Sequence, residues 1–189
     1  MKYTAGFAIC GSFCTFAEVI PQIEALVKSG VDVVPIMSPA SYSIDTRFGN
    51  AEDINAQIKK ICGKEIIHTL RDAEPIGPKK LLDLLIVAPC TGNTLGKLAN
   101  GITDTSVTLA VKAHLRNERP VLLGVSTNDA LGAAAKNIGL LLNCKNIFFI
   151  PMRQDAPQSK PKSVVADFSM TLPAADAALE ARQLQPIFV

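Results

Sequence analysis

Two apolar runs in this chain each end in a turn of small polar residues and lead into a helical pattern, and no other feature constrains the fold as tightly. Thr4–Cys10 passes into Gly11-Ser12-Phe13-Cys14-Thr15, and Leu84–Ala88 passes into Pro89-Cys90-Thr91-Gly92-Asn93-Thr94. A continuous apolar run of that length fits a strand buried on both faces, as in the centre of a parallel sheet. Parallel strands need crossover connections, and the intervening segments supply them. Thr15–Ser29 places apolar residues at Phe16, Val19, Ile20, Ile23, Leu26 and Val27, a helical spacing closed by Gly30. Val31–Met37 reads as a second strand, Ser38–Asn50 as a polar loop, Ala51–Cys62 as a helix stopped by Gly63, and Glu65–His68 as a short third strand. After Leu84–Ala88, helices are expected over Thr94–Asn100 and Thr103–Arg116, and strands over Pro120–Ser126 and Asn146–Ile150. Asp129–Leu142 reads as a helix of small residues that packs closely against a neighbour. Pro151–Lys162 is polar and proline-rich, and Ser163 is the expected cap of a final helix carrying Val164, Val165 and Phe168, then Ala174–Gln183 beyond Pro173.

Strands alternating with helices imply right-handed βαβ units. The expected fold is one doubly wound α/β domain over 1–189, with a mostly parallel Rossmann-like sheet and 151–189 as a C-terminal extension. Counting strands along the chain, the expected order is 3-2-1-4-5, with room for a sixth. The first strand and Leu84–Ala88 then flank the topological switch point, where open α/β sheets bind ligands. Each small-residue turn leaves backbone N–H groups free at a helix start, which suits a phosphate. Neither G-x-G-x-x-G nor G-x-x-x-x-G-K-[ST] is present, which argues against dinucleotide binding by this chain alone and against P-loop chemistry. Ser12 has two readings, a hydroxyl for a phosphate or the cap of a tight turn. Cys90 also has two, a thiolate stabilised by a helix N-terminus or a small residue that shapes the loop.

Hydrophobic residues make up 48% of the chain and charged ones only 19%, so contacts between copies are expected to cover part of the surface, as in a homo-oligomer. A net charge of +2, no Trp and only two Tyr leave neither a basic stripe nor a stacking platform for nucleic acid. No leader pattern and no apolar stretch of about 20 residues is visible, so no membrane partner is expected. Five cysteines without a C-x-x-C pair read as reduced thiols of a cytoplasmic protein. His68 and His114 lie in separate segments, so no metal site is expected. His114 reads as solvated on the polar side of its helix, and His68 either as a group for acid/base work or as a surface residue at a strand end. Arg153, Lys160 and Lys162 follow the last strand's carboxyl end, either as partners for a dicarboxylate or as a solvated basic loop.

Pro89–Thr94 and the following Leu95-Gly96-Lys97-Leu98-Ala99-Asn100-Gly101-Ile102-Thr103-Asp104 resemble the P-A-S-A-N-T…K-x-A-x-G-I-A-D signature of the homo-oligomeric flavin-containing cysteine decarboxylase superfamily. Gly11-Ser12 resembles that superfamily's first turn. Arg153-Gln154-Asp155-Ala156-Pro157, Lys160-Pro161-Lys162-Ser163 and the Gln183–Pro186 ending extend the likeness over essentially the whole chain. They point to members that serve as the B subunit of a two-subunit oxidoreductase. The resemblance implies a flavoprotein fold with FMN as candidate cofactor. It also implies a nicotinamide-binding A subunit that carries NADP, and a cyclic dicarboxylate oxidised to an aromatic diacid during sporulation. Residue by residue, it implies cofactor contacts at Gly11, Ser12, Ser38, Thr91, Asn93 and Thr94, with Asn93 and Asn128 as catalytic candidates. Arg153 and Lys160 are the substrate candidates. Leu131-Gly132 stand where the decarboxylases carry Met-Trp, and Thr127 is nearest to the arginine of the prenyltransferases. No residue matches the decarboxylases' active-site histidine. These departures argue against an autonomous decarboxylase or prenyltransferase. A non-catalytic partner protein that activates and stabilises the other chain is a further alternative.

Overall fold

Strand β1 (Thr4–Ile9) is central because its side chains meet protein on both faces, and only Thr4 at its start is partly exposed. It pairs in parallel with β2 (Asp32–Met37) on one side and with the fully buried β3 (Leu84–Cys90) on the other. The computed structural model describes residues 3–189. Beyond β3 lies β4 (Val121–Thr127), which takes β5 (Ile147–Phe149) as a parallel partner along its first half. The last residues of β4 pair antiparallel with β7 (Val164–Ala166), which pairs in turn with β6 (Met152–Gln154). The seven-stranded sheet therefore runs β2-β1-β3-β4-β7-β6, with β5 beside β4. It is parallel at the centre and antiparallel at one end.

The expected third strand over Glu65–His68 shrinks to one parallel bridge between Ile36 and Ile67. The Ile67 N–H donates to Pro35 O and the Met37 N–H donates to Ile67 O. Pro35 has no N–H to extend that ladder, so pairing stops there.

Helices cover both faces. On one, α1 (Phe16–Lys28), α3 (Ala51–Cys62) and α8 (Thr171–Leu179) pack on Ala5, Phe7, Ile9 and their neighbours. On the other, α5 (Gly92–Ala99), α6 (Ser106–Leu115) and α7 (Ala135–Leu142) cover Ala8, Cys10, Val87 and Leu123. The alternation of side chains along each strand assigns them to these two cores. A short α2 (Pro39–Ser43) is capped by Ser38, and α4 (Leu70–Ala73) precedes the turn into β3.

Three expectations need correction. The expected helix over Asp129–Leu142 begins only at Ala135, because the Leu131 N–H is drawn to Lys162 O and residues 128–134 turn instead. Ser163 caps no helix. Val164 and Val165 belong to β7, where β-branched side chains suit the pleat and cover the edge of β4 beyond β5. His114 is not solvated. It is 1% exposed, and its Nε2–H donates to Pro120 O at 3.0 Å.

Candidate functional site

The carboxyl ends of β1 and β3 lie side by side, and both informative loops rise from the same level. The Cys10 N–H donates to Pro89 O at 3.2 Å, which ties the two strand ends together. Thr91 is the N-cap of α5, and its Oγ1 accepts from the Thr94 N–H at 3.3 Å. The Thr91 hydroxyl also donates to Thr94 Oγ1, which donates to the Cys10 sulfur at 3.3 Å. Both threonine protons are thus engaged within the protein. The first N–H groups of α5, at Gly92 and Asn93, have no intrahelical acceptor and form the positive end of that helix.

Gly92 is a point of close approach. A Cβ there would stand 2.6 Å from Thr127 Oγ1 and 2.9 Å from Asp129 Oδ1, so only glycine lets the β4 turn lie against the start of α5. At Gly11 the case differs. Its φ is ordinary, and a Cβ would meet only Phe13 and Ala40 at 3.4–3.6 Å. Packing within the chain does not demand glycine at that position, which suits close approach of a ligand to the backbone.

Two cavities open over these loops and share Gly11 and Thr91. The first, of about 470 Å³, is lined also by Ser38, Asn93, Thr94, Lys97 and Thr105. No carboxylate lines it, and Lys97 is engaged with Asp104 at 2.8 Å. Ser38 Oγ accepts from the Ser41 N–H at 3.2 Å and lies 2.9 Å from Ser41 Oγ. The second, of about 410 Å³, is lined by Ser12, Ser126, Asn128, Arg153, Lys160 and Ser163, among others. Arg153 lies 3.6 Å from Asp167, and Lys160 lies 2.9 Å from Asp155, whose hydrogen bond holds the ammonium in its charged form. Ser163 Oγ donates toward Asn128 Oδ1 at 3.4 Å.

The residues singled out in the sequence divide cleanly between the chambers. Gly11, Ser38, Thr91, Asn93 and Thr94 line the first, while Ser12, Asn128, Arg153 and Lys160 line the second with Gly11 and Thr91 at the border. Lys162 does not join them, since its aliphatic stem lies against Gly132. His68 is turned elsewhere and stacks face to face on Tyr42, with ring centroids 3.7 Å apart. Sequence reasoning missed Ser126, Ser163 and Thr105. A hydroxyl at the end of an apolar strand, the argument applied to Ser12, also finds Ser126. Ser163 reaches the groove only because the β6–β7 arm folds back. Ser12, in turn, occupies the N-cap position of the turn Phe13–Thr15 but makes no side-chain cap bond there. Among the described residues no cluster of His, Cys, Asp or Glu is arranged to hold a metal, and no helix is long and apolar enough to cross a membrane.

The thiolate reading of Cys90 does not hold. Cys90 is fully buried at the end of β3, and desolvation, followed by the neighbouring Cys10, pushes its thiol well above the ordinary value. Burial likewise pushes Cys10 up to about 11 despite its hydrogen bond from Thr94. Iodoacetamide at pH 8 should therefore label exposed Cys14 and Cys144 in the folded protein and spare Cys10 and Cys90 until denaturant is added. Intact-mass and peptide mass spectrometry check this, and fast labelling of Cys10 or Cys90 in the native state would contradict their placement.

A family model described as Flavoprotein matches residues 1–165. The chain is 47% identical over 184 residues to the B subunit of dipicolinate synthase of Bacillus subtilis (strain 168), covering 97% of this chain and 92% of that one. The crystal structure of the dipicolinate synthase B subunit from Bacillus halodurans C superposes with a TM-score of 0.92 at 43% identity, over 100% of this chain and 98% of that one. The FMN-dependent cysteine decarboxylase SpaF shares the fold, with a TM-score of 0.68 at 20% identity over 95% and 97% of the two chains.

Proposed function

Since this chain belongs to the Flavoprotein family and, within it, to the group of dipicolinate synthase B subunits, we propose that it completes the active site of a dipicolinate synthase. In this reading it works with the A subunit of that enzyme to oxidise a dihydro- or hydroxytetrahydrodipicolinate to pyridine-2,6-dicarboxylate. NADP is carried by the A subunit, and the reaction serves sporulation. The observation that carries the reading is the pair of chambers joined at Gly11 and Thr91, one lined by hydroxyls, an amide and Lys97 with no carboxylate, and one bearing Arg153 and Lys160 beside Glu18 and Asp155.

The first chamber fits a flavin phosphate. The N-terminus of α5, the Ser38 hydroxyl and the Asn93 amide can converge on an anion, no carboxylate opposes it, and Gly11 leaves the backbone open. A bound FMN supplies a two-electron acceptor at this position. The second chamber fits the diacid. Arg153 can grip one carboxylate bidentately and Lys160 adds a point charge. Exchanging Asp167 and Asp155 for the substrate's carboxylates keeps both cations paired. Asn128 carries an amide that donates and accepts hydrogen bonds but does not take up a proton near neutrality, so its role is to orient the ring rather than deprotonate it, while Asn93 stays with the flavin phosphate. Thr127 and Leu131 at the β4 turn, in place of the decarboxylases' and prenyltransferases' groups, favour this reading over autonomous decarboxylation or prenyl transfer.

Titrating the purified chain with FMN, followed by quenched flavin emission, tests the cofactor half. Stoichiometric binding is expected, and Asn93→Ala should weaken it by roughly tenfold or more, the magnitude of one hydrogen bond to a charged group. Absence of binding at high FMN would refute a flavin role and leave a chain that serves a nicotinamide-dependent partner.

A further inference from the structure

Ser12 and Ser126 form a direct side-chain bridge between the end of β1 and the end of β4, with Oγ atoms 2.8 Å apart. These strands are not neighbours. β3 lies between them, so the bridge passes over its end where Thr91 begins α5. Ser126 is 7% exposed, and its hydroxyl has no other side-chain or backbone partner among the described residues. Both serines line the groove, and either hydroxyl can donate across the contact. When an anionic oxygen takes the single Ser12 proton, Ser126 is the one left to donate to Ser12 Oγ. The Ser12 proton is then free for that oxygen, since the one other side-chain partner within hydrogen-bond reach among the described residues is the Cys14 sulfur at 3.9 Å, a poor acceptor. Ser12 thus faces the groove as a donor backed by a second serine.

We propose that Ser126 is a positioning residue that holds the Ser12 hydroxyl as a fixed O–H donor for an anionic oxygen of the bound ligand. The proposal rests on the groove being the ligand site, as argued above. Its recognition chemistry is one phosphate or carboxylate oxygen, which either FMN or the diacid can supply. A carboxylate or phosphate oxygen accepts such a donor without bringing a competing proton, whereas an amine would not. Fixing the rotamer in advance lowers the ordering cost of binding.

The test is a double-mutant cycle on the full chain with Ser12→Ala, Ser126→Ala and the double variant, plus Ser126→Thr as the conservative replacement. FMN and pyridine-2,6-dicarboxylate are titrated separately by fluorescence and calorimetry, and thermal melts confirm that each variant is folded. Ser12→Ala should weaken one of the two ligands by roughly tenfold, and Ser126→Ala should weaken the same ligand by about 2- to 10-fold. The double variant should be no worse than Ser12→Ala alone, since Ser126 acts through Ser12, and Ser126→Thr should restore most of the affinity. Which ligand responds tells whether the oxygen belongs to a phosphate or a carboxylate. A ligand that binds the parent chain but is indifferent to Ser126→Ala, or additive losses in the double variant, would overturn the positioning role while leaving the groove as the site. Failure of both ligands to bind the parent chain would overturn the groove reading and this proposal together.

Discussion

Replacing Phe168 with alanine is expected to destabilise the protein by about 3–5 kcal/mol, the cost of deleting a fully buried aromatic ring. Phe168 is 2% exposed and belongs to the core that joins Ala166, Ala174 and Ile150 to the sheet. Its ring reaches the backbone of β4 at Gly124, where an added Cβ would stand 3.1 Å from Phe168 Cε1. The ring therefore seals the junction between the β6–β7 arm, α8 and the centre of the sheet. Collapse around the missing ring is restricted because Ala88 lies within β3 and the Ile150 N–H donates to Leu123 O of β4. For a chain of this length the loss corresponds to roughly 6–20 °C in Tm. If 151–189 and the rest form one cooperative unit, urea unfolding followed by circular dichroism and by intrinsic tyrosine emission should give coincident transitions in parent and variant alike. The arm carries Arg153 and Lys160, so a variant in which it detaches first should lose diacid binding below the global transition. A loss under about 1 kcal/mol would show that the ring does not fill this core.

Acid sensitivity traced to His114 is the second large effect. Burial pushes its imidazolium down to about 4 from an ordinary value of 6.5, more than the hydrogen bond to Pro120 O raises it, and Arg119 adds to the depression. In the native state the ring stays neutral as pH falls through 6.5, while in the unfolded chain it takes up a proton. Its contribution to stability is intact above 6.5, is lost progressively between 6.5 and about 4, and changes no further below that. The shift amounts to roughly 3 kcal/mol at the acid limit, and about 2–3 kcal/mol should already be gone at pH 4.5. Carboxylates titrate in the same range, so the measurement is a comparison. Urea unfolding of parent and His114→Gln at pH 7.5 and 4.5 should show the parent losing about 2 kcal/mol more than the variant on acidification. Equal losses would mean that His114 takes up its proton as readily when folded as when unfolded.

His114 also shows where sequence patterning stops. Near the end of α6 it reads as polar and therefore outward, yet α6 is buried along much of its length, with Ser106, Thr108 and His114 all inside. A helix covered on two sides has no polar face for the 3.6-residue period to reveal. The imidazole is tolerated because the turn before β4 offers the Pro120 carbonyl. The error at Val164-Val165 has a different source. Five residues from Ser163 to Asp167 suit a helix start or a short strand equally well by local preference. The unpaired end of β4, made by residues some forty positions earlier, decided the outcome.

What the sequence determined by itself was the parallel core and the position of the two loops. Continuous apolar runs at Thr4–Cys10 and Leu84–Ala88 have only one stable setting in a chain of this length, between two helical layers, and the hydroxyl and glycine residues that end them must then emerge together at the carboxyl edge. The α3 boundaries, Ala51–Cys62, were legible to the residue because Asn50 and Gly63 are local signals that satisfy the helix's own terminal groups. Only the tertiary structure decided that the groove has two chambers, that Lys162 is turned out of it, and that Ser126 lies against Ser12. Each of these depends on the β6–β7 arm or on the end of β4 meeting β1 across β3. Contacts between residues more than a hundred positions apart, such as Ser12 and Ser126, leave no periodicity in the sequence, because they are set by how strand ends stack and not by any local preference of the chain.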